Sequence, residues 1–108
     1  MWFPSDEIVV TDIAGDKARV HAANSVHKSK LIRIGFSGQA DDLVRPVQSV
    51  DDRITVLMRL VELGALFSAG RDWSPEEVVK YYHEQGFINV SYRVIAWKNP
   101  EQFLISTP

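Results

Sequence analysis

Residues 73–87 read WSPEEVVKYYHEQGF, and this stretch marks the start, the apolar face and the end of one helix. Ser74 is an N-cap residue, and Pro75 follows at the first helical position, where its missing N–H costs nothing. Glu77 stands three residues after the cap, at the capping-box position. Gly86 lies where a left-handed residue ends a helix. The stretch therefore predicts a helix that begins at Pro75 and stops just before Gly86.

A second helix is predicted from about residue 50 to 69, and its apolar surface is unusually wide. At 100° per residue its apolar side chains cover about 220° of the helical wheel, whereas about 100° is enough for a helix on one layer. The apolar set comprises Ile54, Val56, Leu57, Met58, Leu60, Val61, Leu63, Ala65 and Phe67. We therefore expect this helix to be covered on two sides, by a sheet and by the other helix or a second copy of the chain.

The remaining segments alternate apolar and polar residues with period two, which indicates strands. Three such segments, at residues 7–13, 17–22 and 30–36, precede the helices, and two more, at 88–97 and 102–106, follow them. Turn-forming residues between 37 and 48 predict a loop. The order βββ-αα-ββ predicts a single α+β domain over residues 1–108, with two helices on one face of a mostly antiparallel sheet.

Composition places the chain among soluble globular proteins and excludes some chemistry. Hydrophobic residues make up 45% of the 108 and charged residues 24%, which is typical of a domain with its own core. Cysteine is absent, so disulfides and thiol catalysis are excluded, and a cytoplasmic location is favoured. There is no basic leader followed by a long apolar run, and no stretch approaches the ~20 apolar residues of a membrane span. We therefore expect no signal peptide and no membrane association.

Charge is distributed unevenly along the chain. Residues 17–33 contain five basic side chains and no acid, although the whole chain has a net charge of −2. This segment supports a nucleic-acid hypothesis, in which Lys17, Arg19, Lys28 and Lys30 contact phosphates. The alternative is a solvated face or sheet edge whose lysines discourage strand association. The net acidity of the chain favours the alternative.

No set of residues predicts catalysis or metal binding. His21 and His27 match no metal-ligand spacing, and the glycines form neither a dinucleotide fingerprint nor a P-loop. We expect no metal and no cofactor, and a non-catalytic function is favoured.

A small-molecule site is one alternative function. Tyr81, Tyr82 and His83 lie on or beside the apolar stripe of the helix that begins at Pro75, and Arg59 lies on the other helix. These four residues predict the rim of a pocket between helices and sheet, where a histidine that titrates near neutral pH would serve binding or modest acid–base chemistry.

Protein–protein interaction is the function that the sequence favours. If all strands join one sheet, the face without helices carries Leu31, Arg33, Arg93, Ile95 and Trp97, and aromatics and arginines among aliphatics are typical of interface cores. We therefore predict a small regulatory module that self-associates, as a homodimer or a larger homo-oligomer, or binds another protein. The alternative is that a second sheet layer, the N-terminal residues 1–3 or a crossing loop covers these side chains.

Overall fold

The computed structural model describes residues 3–108, in which one six-stranded mixed sheet is covered on one face by three helices. The strands are β1 Val9–Asp12, β2 Lys17–His21, β3 Asp42–Pro46, β4 Leu66–Ser68, β5 Arg93–Asn99 and β6 Gln102–Ser106. The helices are α1 Ser25–Arg33, α2 Val50–Glu62 and α3 Pro75–Glu84. The predicted α+β class is confirmed, but the two-helix prediction is wrong because α1 replaces a predicted strand.

The sheet has the order β3-β2-β1-β4-β5-β6. The outer pairs β3–β2, β2–β1 and β5–β6 are antiparallel, whereas β1–β4 and β4–β5 are parallel. Parallel neighbours need a crossover connection, and α3 supplies it between β4 and β5. The prediction of a mostly antiparallel sheet is therefore only partly right, because the centre of the sheet is parallel.

Helix α1 occupies most of the segment predicted as the third strand. Asn24 caps it, since its side-chain oxygen accepts hydrogen bonds from the amides of Val26 at 2.8 Å and His27 at 3.3 Å. Leu31 is fully buried, and Ile32, which the strand pattern pointed inward, is exposed. The strand prediction for residues 30–36 is wrong because the cap at Asn24 and the burial of Leu31 favour a helix over the period-two alternation.

Helix α2 is shorter than predicted. It stops at Glu62, Gly64 follows with a φ of 76°, and Leu66–Ser68 continue as the buried central strand β4. A short apolar strand cannot be distinguished from buried helix by periodicity. Without residues 63–67, the apolar residues of α2 still cover about 200° of the wheel. Only Val56, Leu57, Leu60 and Val61 are buried, over an arc of about 140°. The cover predicted on a second side of the helix therefore does not extend to Met58, which is 44% exposed.

Strand β3 forms within the segment predicted as a loop, and a salt bridge ties it to the start of α2. Arg45 Nη2 lies 3.0 Å from Asp52 Oδ1, and Arg45 Nε donates to the carbonyl of Ile34 at 2.8 Å. Asp52 also accepts a hydrogen bond from the amide of Gln48 at 3.0 Å. The hydrogen bond from Arg45, aided by that of the Gln48 amide, lowers the pKa of Asp52 below its usual value of 3.8.

Helix α3 follows the prediction closely. Ser74 Oγ accepts a hydrogen bond from the amide of Glu77 at 3.4 Å, and Pro75 occupies the first turn. Gly86 has a φ of 84°, and the amide of Phe87 donates back to the carbonyl of Tyr82 at 3.0 Å, as in a Schellman motif. The N-cap, the proline and the glycine predicted from residues 73–87 are confirmed.

Replacing Gly86 tests the end of α3. We expect Gly86→Ala to lower the free energy of unfolding by about 1 kcal/mol, because an L-residue is strained at positive φ. No atom lies within 4 Å of the Cβ that the alanine would add, so a clash does not contribute. Urea denaturation measures the change. Gly15 is the control, because an added Cβ there also has open space and its φ lies outside the left-handed region. The free energy of unfolding of Gly15→Ala should stay within about 0.5 kcal/mol of that of the parent. Equal losses in the two variants would contradict this reason.

Replacing Asp52 tests the salt bridge through its pH dependence. A carboxyl group whose pKa is lower in the folded protein than in the unfolded chain stabilises the fold at every pH above its unfolded-state pKa. This stabilisation is lost as the pH falls through the pKa of the folded state. We therefore expect Asp52→Asn to have a lower thermal midpoint than the parent at neutral pH. In strong acid the two midpoints should be equal. Asp51→Asn is the control, since Asp51 is exposed and forms no salt bridge within residues 3–108. A pH-independent deficit in Asp52→Asn would contradict an electrostatic origin.

Candidate functional site

The face of the sheet without helices has a small apolar centre of its own. Val9, Leu66 and Ile95 are fully buried there, and Phe3, Trp97 and Phe103 pack against them. The ring of Phe3 stacks on His21 with centroids 4.1 Å apart and meets Trp97 edge-on at 5.6 Å. The N-terminal segment therefore covers part of this face, which is the alternative that the sequence had left open.

The five residues predicted as an interface do not form one surface. Arg93, Ile95 and Trp97 alternate along β5 and share the helix-free face, as predicted. Leu31 and Arg33 lie on α1, on the other side of the sheet, because residues 30–33 are helical. Ile95 is fully buried. The Arg93 guanidinium forms a salt bridge with Glu7 and donates to the carbonyl of Gly64, so it is bound within the chain.

The outer edge of β6, at the end of the sheet, is an exposed apolar feature. Within the described residues, β6 has a neighbouring strand on one side only. Leu104 is 60% exposed and Ile105 is 38% exposed. No charged residue or proline occurs between Gln102 and Ser106. This edge was missed as a site because a pattern of alternating residues does not show which strand ends the sheet.

The four residues predicted to contact phosphates divide between two elements. Lys17 and Arg19 are exposed on β2, on the helix-free face, whereas Lys28 and Lys30 lie on α1. Lys28 Nζ binds Asp41 Oδ1 at 2.7 Å, and this hydrogen bond lowers the pKa of Asp41. The four cations therefore do not form one strip, and nucleic-acid binding stays a prediction.

A cavity of about 360 Å³ lies between the start of α2, α3 and the loop that precedes α3. It is lined by Ala14, Val50, Arg53, Trp73, Val78, Tyr81 and Tyr82. Tyr81 and Tyr82 come from the predicted pocket set, but Arg59 lines a separate cavity of about 260 Å³. His83 faces Tyr92 instead, with ring centroids 5.4 Å apart. Trp73 is a lining residue that the sequence did not identify.

The walls of this cavity differ in chemistry. Trp73 and Tyr81 are largely exposed aromatic side chains, at 69% and 52%, and the ring of Tyr81 meets that of Tyr82 edge-on at 5.2 Å. Arg53 is half-buried and donates a hydrogen bond to the carbonyl of Ile13. The cavity therefore combines flat apolar surfaces with one cation.

The histidines do not assemble a metal centre in the part of the chain that the structure describes. His21 Nδ1 lies 3.4 Å from Asp42 Oδ1, and His27 Nε2 donates to the carbonyl of Asp6 at 2.9 Å. Residues 3–108 contain no cluster of three or more histidine, aspartate or glutamate side chains arranged to bind a metal ion. Over the same residues, no helix has the length and apolar character needed to span a membrane.

Searches of family models, curated proteins and solved structures found no match to this chain.

Proposed function

We propose that the protein is a self-associating interaction module in which the edge strands β6 of two copies pair antiparallel. The observation that supports this proposal is an apolar strand edge that contains no charged residue and no proline. Natural proteins protect exposed edges with charges, prolines, bulges or covering segments. Strand β6 has an exposed leucine and isoleucine and contains no charged residue and no proline. The register shift in the β5–β6 pair lies on β5, between Trp97 and Asn99.

The opposite edge of the sheet provides an internal comparison. Strand β3 contains Asp42, Arg45 and Pro46, and Ser37 forms a bridge to Val44 alongside it. The amides of Ser37 and Val44 exchange hydrogen bonds of 2.9 and 2.8 Å with each other's carbonyls. One edge of the same sheet is therefore charged and covered, while the other has no charged residue and, among the described residues, no further strand beside it. This difference favours β6 as the associating edge.

The sequence of β6 is compatible with a twofold axis at Leu104. In an antiparallel pair centred there, Leu104 faces its own copy and Phe103 faces Ile105 of the second chain. Opposed residues in an antiparallel pair point to the same side of a sheet, so both sets of helices would lie on one side. Such a contact uses the same patch on both subunits, as a cyclic dimer requires.

The size of this contact indicates a reversible dimer. Five paired residues on each side belong with small, transient interfaces, which bury less than about 1,200 Å². A dimer that forms and dissociates with concentration suits the regulatory role expected from the sequence.

Opposite charges at position 104 test the pairing and its register. In Leu104→Lys or Leu104→Glu alone, like charges would face each other across the twofold axis, so we expect each variant to sediment as a monomer. Mixing the two variants should restore a dimer, because lysine then faces glutamate. Sedimentation velocity over a concentration series of each variant and of the mixture gives the measurement.

The control is Ile32→Lys, because Ile32 is 59% exposed, almost as much as Leu104, but lies on α1. This variant should dimerise like the parent. A parent protein that is monomeric up to about millimolar concentration would overturn the proposal. A mixture of Leu104→Lys and Leu104→Glu that stays monomeric would overturn the register.

A further inference from the structure

The cavity lies at the carboxyl ends of two adjacent parallel strands. Strand β1 leads through the turn at Ala14 to β2 on one side, and β4 leads through the Trp73 loop and α3 to β5 on the other. Connections that leave neighbouring parallel strands in opposite directions open a crevice between them, and such crevices are where open sheets bind ligands. Ala14 and Trp73 both line the cavity. The sheet topology thus gives a reason for a cavity at this place.

Arg53 supplies the charge that this cavity offers. The other half-buried arginines of residues 3–108 each have a carboxylate partner, since Arg45 binds Asp52 and Arg93 binds Glu7. Arg53 is equally half-buried, but its hydrogen bond goes to a neutral carbonyl, and it forms no salt bridge with any described residue. A guanidinium that is partly desolvated without a counter-ion favours an anion in the space beside it.

Trp73 and Tyr81 supply the flat surfaces. Trp73 has a φ of 64°, a left-handed conformation that is strained for a bulky side chain. Strain of this kind persists where the surrounding structure imposes it, and it is concentrated at ligand clamps. Trp73 therefore combines a strained backbone with a largely exposed ring that lines the cavity.

We infer that the cavity binds a small aromatic carboxylate, with the ring against Trp73 and Tyr81 and the carboxylate on Arg53. The volume is near the lower end of the ~300–1,000 Å³ of ligand pockets, which suits a molecule of one or two rings. Asp72 and Glu77 line a separate groove on the other side of Trp73 and Tyr81. These acids disfavour multiply charged anions and favour a single carboxylate over a phosphate.

Two matched ligands test this assignment on the unmodified protein. We expect indole-3-acetate to bind, as measured by isothermal titration calorimetry, and its neutral amide to bind at least about tenfold more weakly, because a charge-assisted hydrogen bond is lost. Inorganic phosphate should not compete. Equal binding of acid and amide, displacement by phosphate, or no binding of the acid at millimolar concentration would each overturn the inference.

Variants then locate the site. Arg53→Met should reduce affinity for the acid to that of the amide, whereas Arg53→Lys should retain part of the difference. The control is Arg59→Met, which removes a cation from the same helix but from a different cavity. Trp73→Ala should weaken the acid and the amide alike, because the ring makes no charged contact. Equal effects of Arg53→Met and Arg59→Met would place the anion elsewhere.

This inference does not depend on dimer formation. The same titration in Leu104→Lys should give the affinity of the parent, since Leu104 does not line the cavity. If the parent protein is monomeric but binds the acid, only the proposed dimer is overturned. If it dimerises but does not bind the acid, only the proposed ligand site is overturned.

Discussion

The fold depends on three buried residues that join two otherwise separate halves of the sheet. Strand β4, Leu66–Ser68, pairs in parallel with β1 on one side and with β5 on the other. Phe67 points into the core beneath the helices, and Leu66 joins the small cluster on the opposite face. Ser68 is the buried polar residue of this strand, and its hydroxyl donates to the carbonyl of Val10 at 2.8 Å. These contacts join the antiparallel units β3-β2-β1 and β5-β6 into one continuous sheet.

The same strand positions both candidate sites. Its carboxyl end leads into the loop that carries Trp73, and its pairing with β5 determines where the hairpin β5–β6 continues the sheet. The crevice is lined by α3 and by the loop before it, whereas the open edge belongs to the strand pair that follows α3 in the chain. A single buried element thus determines the location of two surfaces that have no residue in common.

Local signals in the sequence were sufficient for some elements and not for others. Ser74, Pro75 and Gly86 act on the residues next to them, so α3 was predictable almost to the residue. Strand β4 is decided by pairing with β1 and β5, which are distant in the chain, and three buried residues after a helix are too few to show a periodicity of their own. Helix α1 was missed because Ile32 and Ile34 fit a strand pattern, although the cap at Asn24 was present in the sequence. The chemistry of the cavity was not predictable, because the absence of a salt bridge to Arg53 within residues 3–108 is a property of the folded chain.

The position of β6 determines how the molecule opens. Its strand contacts are to β5, and its outer residues are exposed, while β1 and β4 have neighbours on both sides. Local opening starts where few buried contacts oppose it. Backbone amides of β6 should accordingly exchange with deuterated solvent long before those of β4. Pairing of a second chain with β6 would slow the exchange of the β6 amides and leave the other strands unchanged.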